Sequence, residues 1–118
     1  MSSTGRRHLT VLAVAHAARG AALLIHPAAA SRAGPGRQSP PPWVAKALGL
    51  RFLGQGGAEL AWPRRATVMI GAAVDLTHAG SMLVAATMLP QYRRAALRSA
   101  AGATASAAAA GVVLRNWP

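Results

Sequence analysis

Glu59 and Asp75 are the only acidic residues in this 118-residue chain, and both fall inside long apolar stretches. Arg19 and Arg51 are embedded in apolar runs in the same way. A charge held away from water is costly unless it is paired or faces a wet cavity, so these four residues mark where chemistry would be done. Arg51, Gln55 and Glu59 recur every four residues and share one helical stripe, and Gly71, Asp75, His78 and Met82 keep a similar spacing further on. A carboxylate three residues before an imidazole would suit acid–base chemistry, with Asp75 orienting His78. A carboxylate facing guanidiniums would suit a structural ion pair, or a cavity that takes an anionic head group, a proton or a small ligand between Arg19, Arg51, Asp75 and His78.

Depth along the chain chooses the partners. The two polar stripes flank Pro63 to Arg65, with Arg51 12 residues before Pro63 and Asp75 10 residues after Arg65. That difference of two residues is about 3 Å along a helix, which predicts an Arg51–Asp75 ion pair with Gln55 and His78 near enough to hydrogen-bond to it. His16, Arg19 and His26 share a face of the first apolar run. Arg19 lies eight residues before Pro27 and Arg51 eight after Trp43, which gives both arginines similar depth. Glu59, eight residues from Arg51, falls toward the opposite side, so one carboxylate serves two arginines. The surplus guanidinium is expected on backbone carbonyls or drawn toward an interface.

Other chemistries find less support. The chain has no cysteine, which excludes disulfides, thiolate metal sites, iron–sulfur clusters and cysteine nucleophiles. A b-type haem held by His16 and His78 would need ligands that differ in depth by about 8 Å. No nucleophile elbow, metal motif or phosphate loop accompanies Asp75 and His78, so no catalytic residue, metal or cofactor is expected.

The elements that must position these residues are apolar runs. The composition is 53% hydrophobic but only 4% aromatic, a small-residue balance that suits close helix packing in lipid. The runs predict an all-α bundle of four transmembrane helices in one integral membrane domain, residues 1–118, with spans near 9–26, 43–62, 66–89 and 95–114 and an exposed Gly/Pro/Ser-rich linker over 31–42. Trp43 and Trp62 stand 19 residues apart, about 29 Å in a helix, close to the hydrocarbon thickness of a bilayer. Of the aromatic residues only Phe52 lies in mid-span, as an interfacial belt requires. Gly49, Gly54, Gly56 and Gly57 would let a neighbouring backbone come close to the second span, and the alanine-rich fourth span is expected to pack through Gly102, Ser106 and Ala110. The alternative for the first span is a cleaved signal peptide ending near Ala28 to Ala30, against which Arg19 in mid-run argues.

A net charge of +11 raises nucleic acid as a partner, but the arginines come in short clusters between apolar runs, as at membrane flanks. The expected partners are therefore the bilayer and its anionic lipids, with a membrane-protein partner or a second copy, and no nucleic acid. With the N-terminus placed inside, Arg6, Arg7, Arg64, Arg65 and Arg115 face Arg32, Arg37, Arg93, Arg94 and Arg98, so loop charge is balanced and does not set orientation. The expected location is a bacterial inner membrane, crossed several times.

The segment carrying Leu48, Gly49, Arg51 and Gln55, then Asp75, His78, Ser81 and Met82, then Arg93 and Arg94 resembles a family of small four-helix membrane proteins from GC-rich bacteria. The D-x-x-H-x-x-S-M element is its most specific part, and the resemblance covers roughly Trp43 to Ala101. Gly49 to Leu60 is more distantly similar to the DoxX-like four-helix group. The resemblance implies an integral membrane protein without an assigned activity. It assigns no catalytic residue. The expectation is a small accessory or interaction protein, with a transporter-like or lipid-handling protein and a membrane enzyme using Asp75 and His78 as alternatives.

Overall fold

The computed structural model describes residues 1–27 and 40–118. Among them are four long helices, α1 (Ser3–Ile25), α2 (Pro42–Ala61), α3 (Arg65–Met88) and α4 (Arg93–Arg115), with a 3-10 turn at Pro90–Tyr92. The chain is an all-α four-helix bundle. Most of the expected 31–42 linker, with Arg32 and Arg37, and the Ala28 to Ala30 segment lie outside the described residues.

Local chemistry sets the helix ends. Ser2 Oγ accepts the Gly5 N–H at 3.0 Å, satisfying one of the unpaired donors at the start of α1. Pro42 opens α2 at a position where its missing N–H costs nothing. Pro63 and Pro90 follow the ends of α2 and α3, where a proline ring cannot continue the helix.

The helices associate as two close pairs, α1 with α2 and α3 with α4. Glycine makes the first pair possible. A Cβ on Gly20 would lie 2.6 Å from the Gly49 carbonyl oxygen, and one on Gly56 would lie 2.5 Å from that of Ala13, so the backbones touch where no side chain fits. Gly54 and Gly57 do not share this role, because each faces open space. In the second pair α4 buries Ala96, Ala100, Ala103, Ala110 and Val113. Its expected ridge is only partly used for packing, since Ala110 is buried, Ser106 is half-buried and Gly102 instead receives the Arg19 guanidinium.

Both termini and the α2–α3 turn meet at one end of the bundle. Arg65 Nη1 donates to the Leu114 carbonyl at 3.5 Å, and a Cβ on Gly5 would stand 3.1 Å from the Asn116 carbonyl oxygen. Pro40, Pro41 and the Pro90 turn mark the other, proline end. Leu9, Leu12, Val68, Ala110 and Val113 form an apolar core toward the terminal end, and Leu23, Ala45 and Phe52 form another toward the proline end.

The side-chain distribution departs from that of a water-soluble bundle, with large apolar residues on the outside and charged residues within. Val11, Leu50, Ile70 and Met88 point outward and are 63–72% exposed, whereas Asp75 is fully buried. Such extensive outward apolar surface fits a lipid solvent. Among the described residues three helical segments, Ser3–Ile25, Arg65–Met88 and Pro90–Arg115, are long and apolar enough to cross a membrane. α2 is not among them, because it carries Lys46, Arg51, Gln55 and Glu59, of which Arg51, Gln55 and Glu59 turn away from the surface. Trp43 and Trp62 are exposed at its two ends.

Candidate functional site: a buried polar centre and an open vestibule

Arg51, Gln55 and Asp75 form a closed ring between α2 and α3. Arg51 Nη1 and Nη2 donate to Asp75 Oδ1 at 3.2 and 3.3 Å, Arg51 Nη1 donates to Gln55 Oε1 at 3.2 Å, and Gln55 Nε2 donates to Asp75 Oδ2 at 3.2 Å. The four-residue spacing that stacks Arg51 over Gln55 brings both to one carboxylate. Gly71 leaves room below, since a Cβ there would lie 2.8 Å from Gln55 Nε2 and 3.2 Å from Glu59 Oε1.

The other carboxylate is not isolated on the far side, as its depth along α2 suggested. His16 of α1 reaches it, with Nδ1 2.9 Å from Glu59 Oε2, and the same imidazole places Nε2 3.7 Å from Asp75 Oδ2. His16 thus joins α1 to α2 by a hydrogen bond to Glu59, while its Nε2 faces Asp75 of α3 and is buried without a hydrogen-bond partner among the described residues. The sequence offered one signal for this role: Glu59 had no predicted partner, and His16 is one of two histidines deep within the apolar runs.

His78 departs from its expected position beside the ion pair. Its Nε2 lies 2.7 Å from Ser99 Oγ on α4, and it makes neither hydrogen bond nor ion pair with Asp75. An Asp75-oriented imidazole for acid–base work is therefore not formed, because the stripe's curvature around α3 turns His78 toward α4. His16 and His78 engage different neighbours, Glu59 and Ser99.

Arg19 also departs from expectation. It neither caps a carbonyl nor turns to an interface, but lies 4.5 Å above the Phe52 ring centroid, with the Arg51 guanidinium 4.3 Å from the same centroid. Cation–π attraction accounts for the placement of Arg19 and adds to the ion pair that holds Arg51. The His16 ring stacks on Phe52 as well, at 6.1 Å. Among the described residues Arg19 has no ion pair or hydrogen bond. Both carboxylates are already engaged elsewhere.

Above this layer a cavity of about 480 Å³ opens toward the proline end, lined by all four helices. Arg19, Leu48, Met82 and Ser99 are its innermost lining residues, each six positions from its helix end and so about 9 Å deep. Trp43 and Tyr92 stand at the mouth. Among the described residues no cluster of His, Asp and Glu is arranged to hold a metal ion.

Comparison with known proteins finds no matching family model, no matching curated protein and no matching solved structure.

Proposed function

We propose that this is a multi-pass protein of a bacterial inner membrane, crossed by all four helices, and that it acts as a small accessory or interaction protein. Its polar centre is structural. Contacts between the two close helix pairs are sparse, and the Arg51–Asp75 and Gln55–Asp75 contacts fix which faces meet between them, as His16–Glu59 does within the first pair. The inward turn of Arg51 and Glu59 supports a crossing by α2 despite its composition. The basic clusters at the helix ends suit anionic lipid head groups.

The observation that carries the interaction role is a shallow groove of about 420 Å³ on the outer face of α3, lined by Ile70, Ala73, Val74, Thr77, His78 and Ser81. Ala73, Thr77 and Ser81 recur every four residues, the small-residue pattern that lets a second helix approach in lipid. Thr77 Oγ1 donates to the Ala73 carbonyl at 2.8 Å and Ser81 Oγ to that of His78 at 2.8 Å, so neither hydroxyl needs a partner from outside. The natural chain lacks cysteine, so a Thr77→Cys variant carries a single thiol for cross-linking in native membranes. A protein adduct at Thr77→Cys, absent from Val14→Cys on the outer face of α1, is expected, and its mass separates a second copy from a different partner. Adduct yields equal at both positions, or none at either, would contradict an interaction face on α3.

A further inference from the structure

The vestibule at the proline end lies outside the structural centre beneath it. Its volume of about 480 Å³ falls within the range of small-ligand sites, about 300–1,000 Å³. Leu23, Leu48, Met82, Ala85 and Leu89 make its walls apolar, and among the described residues the one guanidinium at its inner end, Arg19, forms no ion pair. Gly102 is shaped around that guanidinium: a Cβ there would lie 2.7 Å from Arg19 Nη1. The group is held in place by Phe52 and Gly102, so it is oriented before any ligand arrives.

A second polar group faces the same space at the same depth. Ser99 lines the cavity, and its Oγ is 2.7 Å from His78 Nε2. In the tautomer that carries the proton on His78 Nε2, Ser99 Oγ accepts from it and the Ser99 O–H is left to donate into the cavity. Arg98 also lines the space, but it is exposed and already engaged.

We propose that the vestibule binds one amphipathic anion, an aliphatic carboxylate, with its head at Arg19 and Ser99 and its hydrocarbon body against Leu23, Leu48 and Met82. A guanidinium fork matches a carboxylate and cancels its single charge. A dianion would leave charge uncompensated among apolar walls. Among the described residues the cavity opens at the proline end, where the body passes Trp43 and Tyr92, and the layer of Phe52 and Arg51 beneath Arg19 closes the inner side. The site is independent of any partner on α3.

Trp43 supplies the readout. In the full chain carrying Trp62→Phe and Trp117→Phe, Trp43 is the sole tryptophan. Dodecanoate brominated at its terminal carbon should quench it saturably, plain dodecanoate should displace the probe, and a trimethylammonium with the same tail should not. Arg19→Gln should weaken binding about tenfold or more, the loss expected for one charged hydrogen-bonding partner. Ala85→Leu, which narrows the cavity and leaves Arg19 in place, should weaken it too and serves if Arg19→Gln does not fold. Arg115→Gln, at the other end, should change nothing. Equal quenching by the cationic amphiphile, or unchanged affinity in both cavity variants, would overturn the proposal. Displacement by inorganic phosphate as effective as by dodecanoate would overturn the aliphatic body. Stronger displacement by phosphatidylglycerol would overturn the free carboxylate in favour of a lipid head group.

Discussion

His16 Nδ1 stands 2.9 Å from Glu59 Oε2, and both side chains are buried. This contact ties α1 to the stripe of α2 that also carries Arg51 and Gln55. Replacing His16 with Leu leaves the Glu59 carboxyl without its hydrogen-bond partner in a dry interior, a loss of about 1–3 kcal/mol. The His16→Leu, Glu59→Leu double variant removes the stranded group and should recover part of that loss. Unfolding in detergent micelles measures both. A double variant that loses the full sum of the two singles would mean the residues act independently.

Close backbone approach makes a sharper contrast within a single sequence pair. Gly56→Ala places a Cβ 2.5 Å from the Ala13 carbonyl oxygen and should push α1 from α2, at a cost of about 1–3 kcal/mol. Gly57→Ala meets nothing within 4 Å and should stabilise by roughly 0.5–1 kcal/mol, because alanine loses less backbone freedom in a helix. Thermal unfolding of the two variants side by side tests the register. Equal effects would place the α1–α2 contact elsewhere.

Topology follows from the ends of the bundle. Single cysteines at Ser2, Arg64 and Asn116 should be labelled from one side of the membrane, and one at Gln91 from the other. Labelling of Arg64→Cys and Gln91→Cys from the same side would mean that α3 does not cross. Labelling of Ser2→Cys and Arg64→Cys from opposite sides would leave an odd number of crossings in α1 and α2.

The Arg51–Asp75 contact was legible because only a short turn joins α2 to α3, so axial depth could be counted from it on both sides. The four helices were legible for a similar reason: Pro63 and Pro90 interrupt apolar runs, and each run is long enough to stand alone as an element. The His16–Glu59 contact was not. Depth in α1 was counted from Pro27 across a long connection, which says nothing about how α1 is rotated. The touching backbones at Gly20 and Gly49, and at Gly56 and Ala13, set that rotation, and sequence showed four candidate glycines in α2 without showing which two faced inward. His78 shows the same limit on a shorter scale. Its spacing from Asp75 puts it on the correct side of α3, yet its hydrogen-bond partner there is Ser99 of α4 rather than the carboxylate.

A double-mutant cycle on Arg51 and Asp75, read as unfolding free energy in detergent micelles, most directly tests whether the polar centre holds the helices together. Arg51→Met alone and Asp75→Leu alone each strand a charge and should cost about 3–5 kcal/mol. The double variant should lose far less than their sum, stay folded and keep the adduct at Thr77→Cys, because apolar packing can replace a buried pair. Small losses in the two single variants that simply add in the double, or a folded double variant that no longer forms the adduct, would contradict a structural centre.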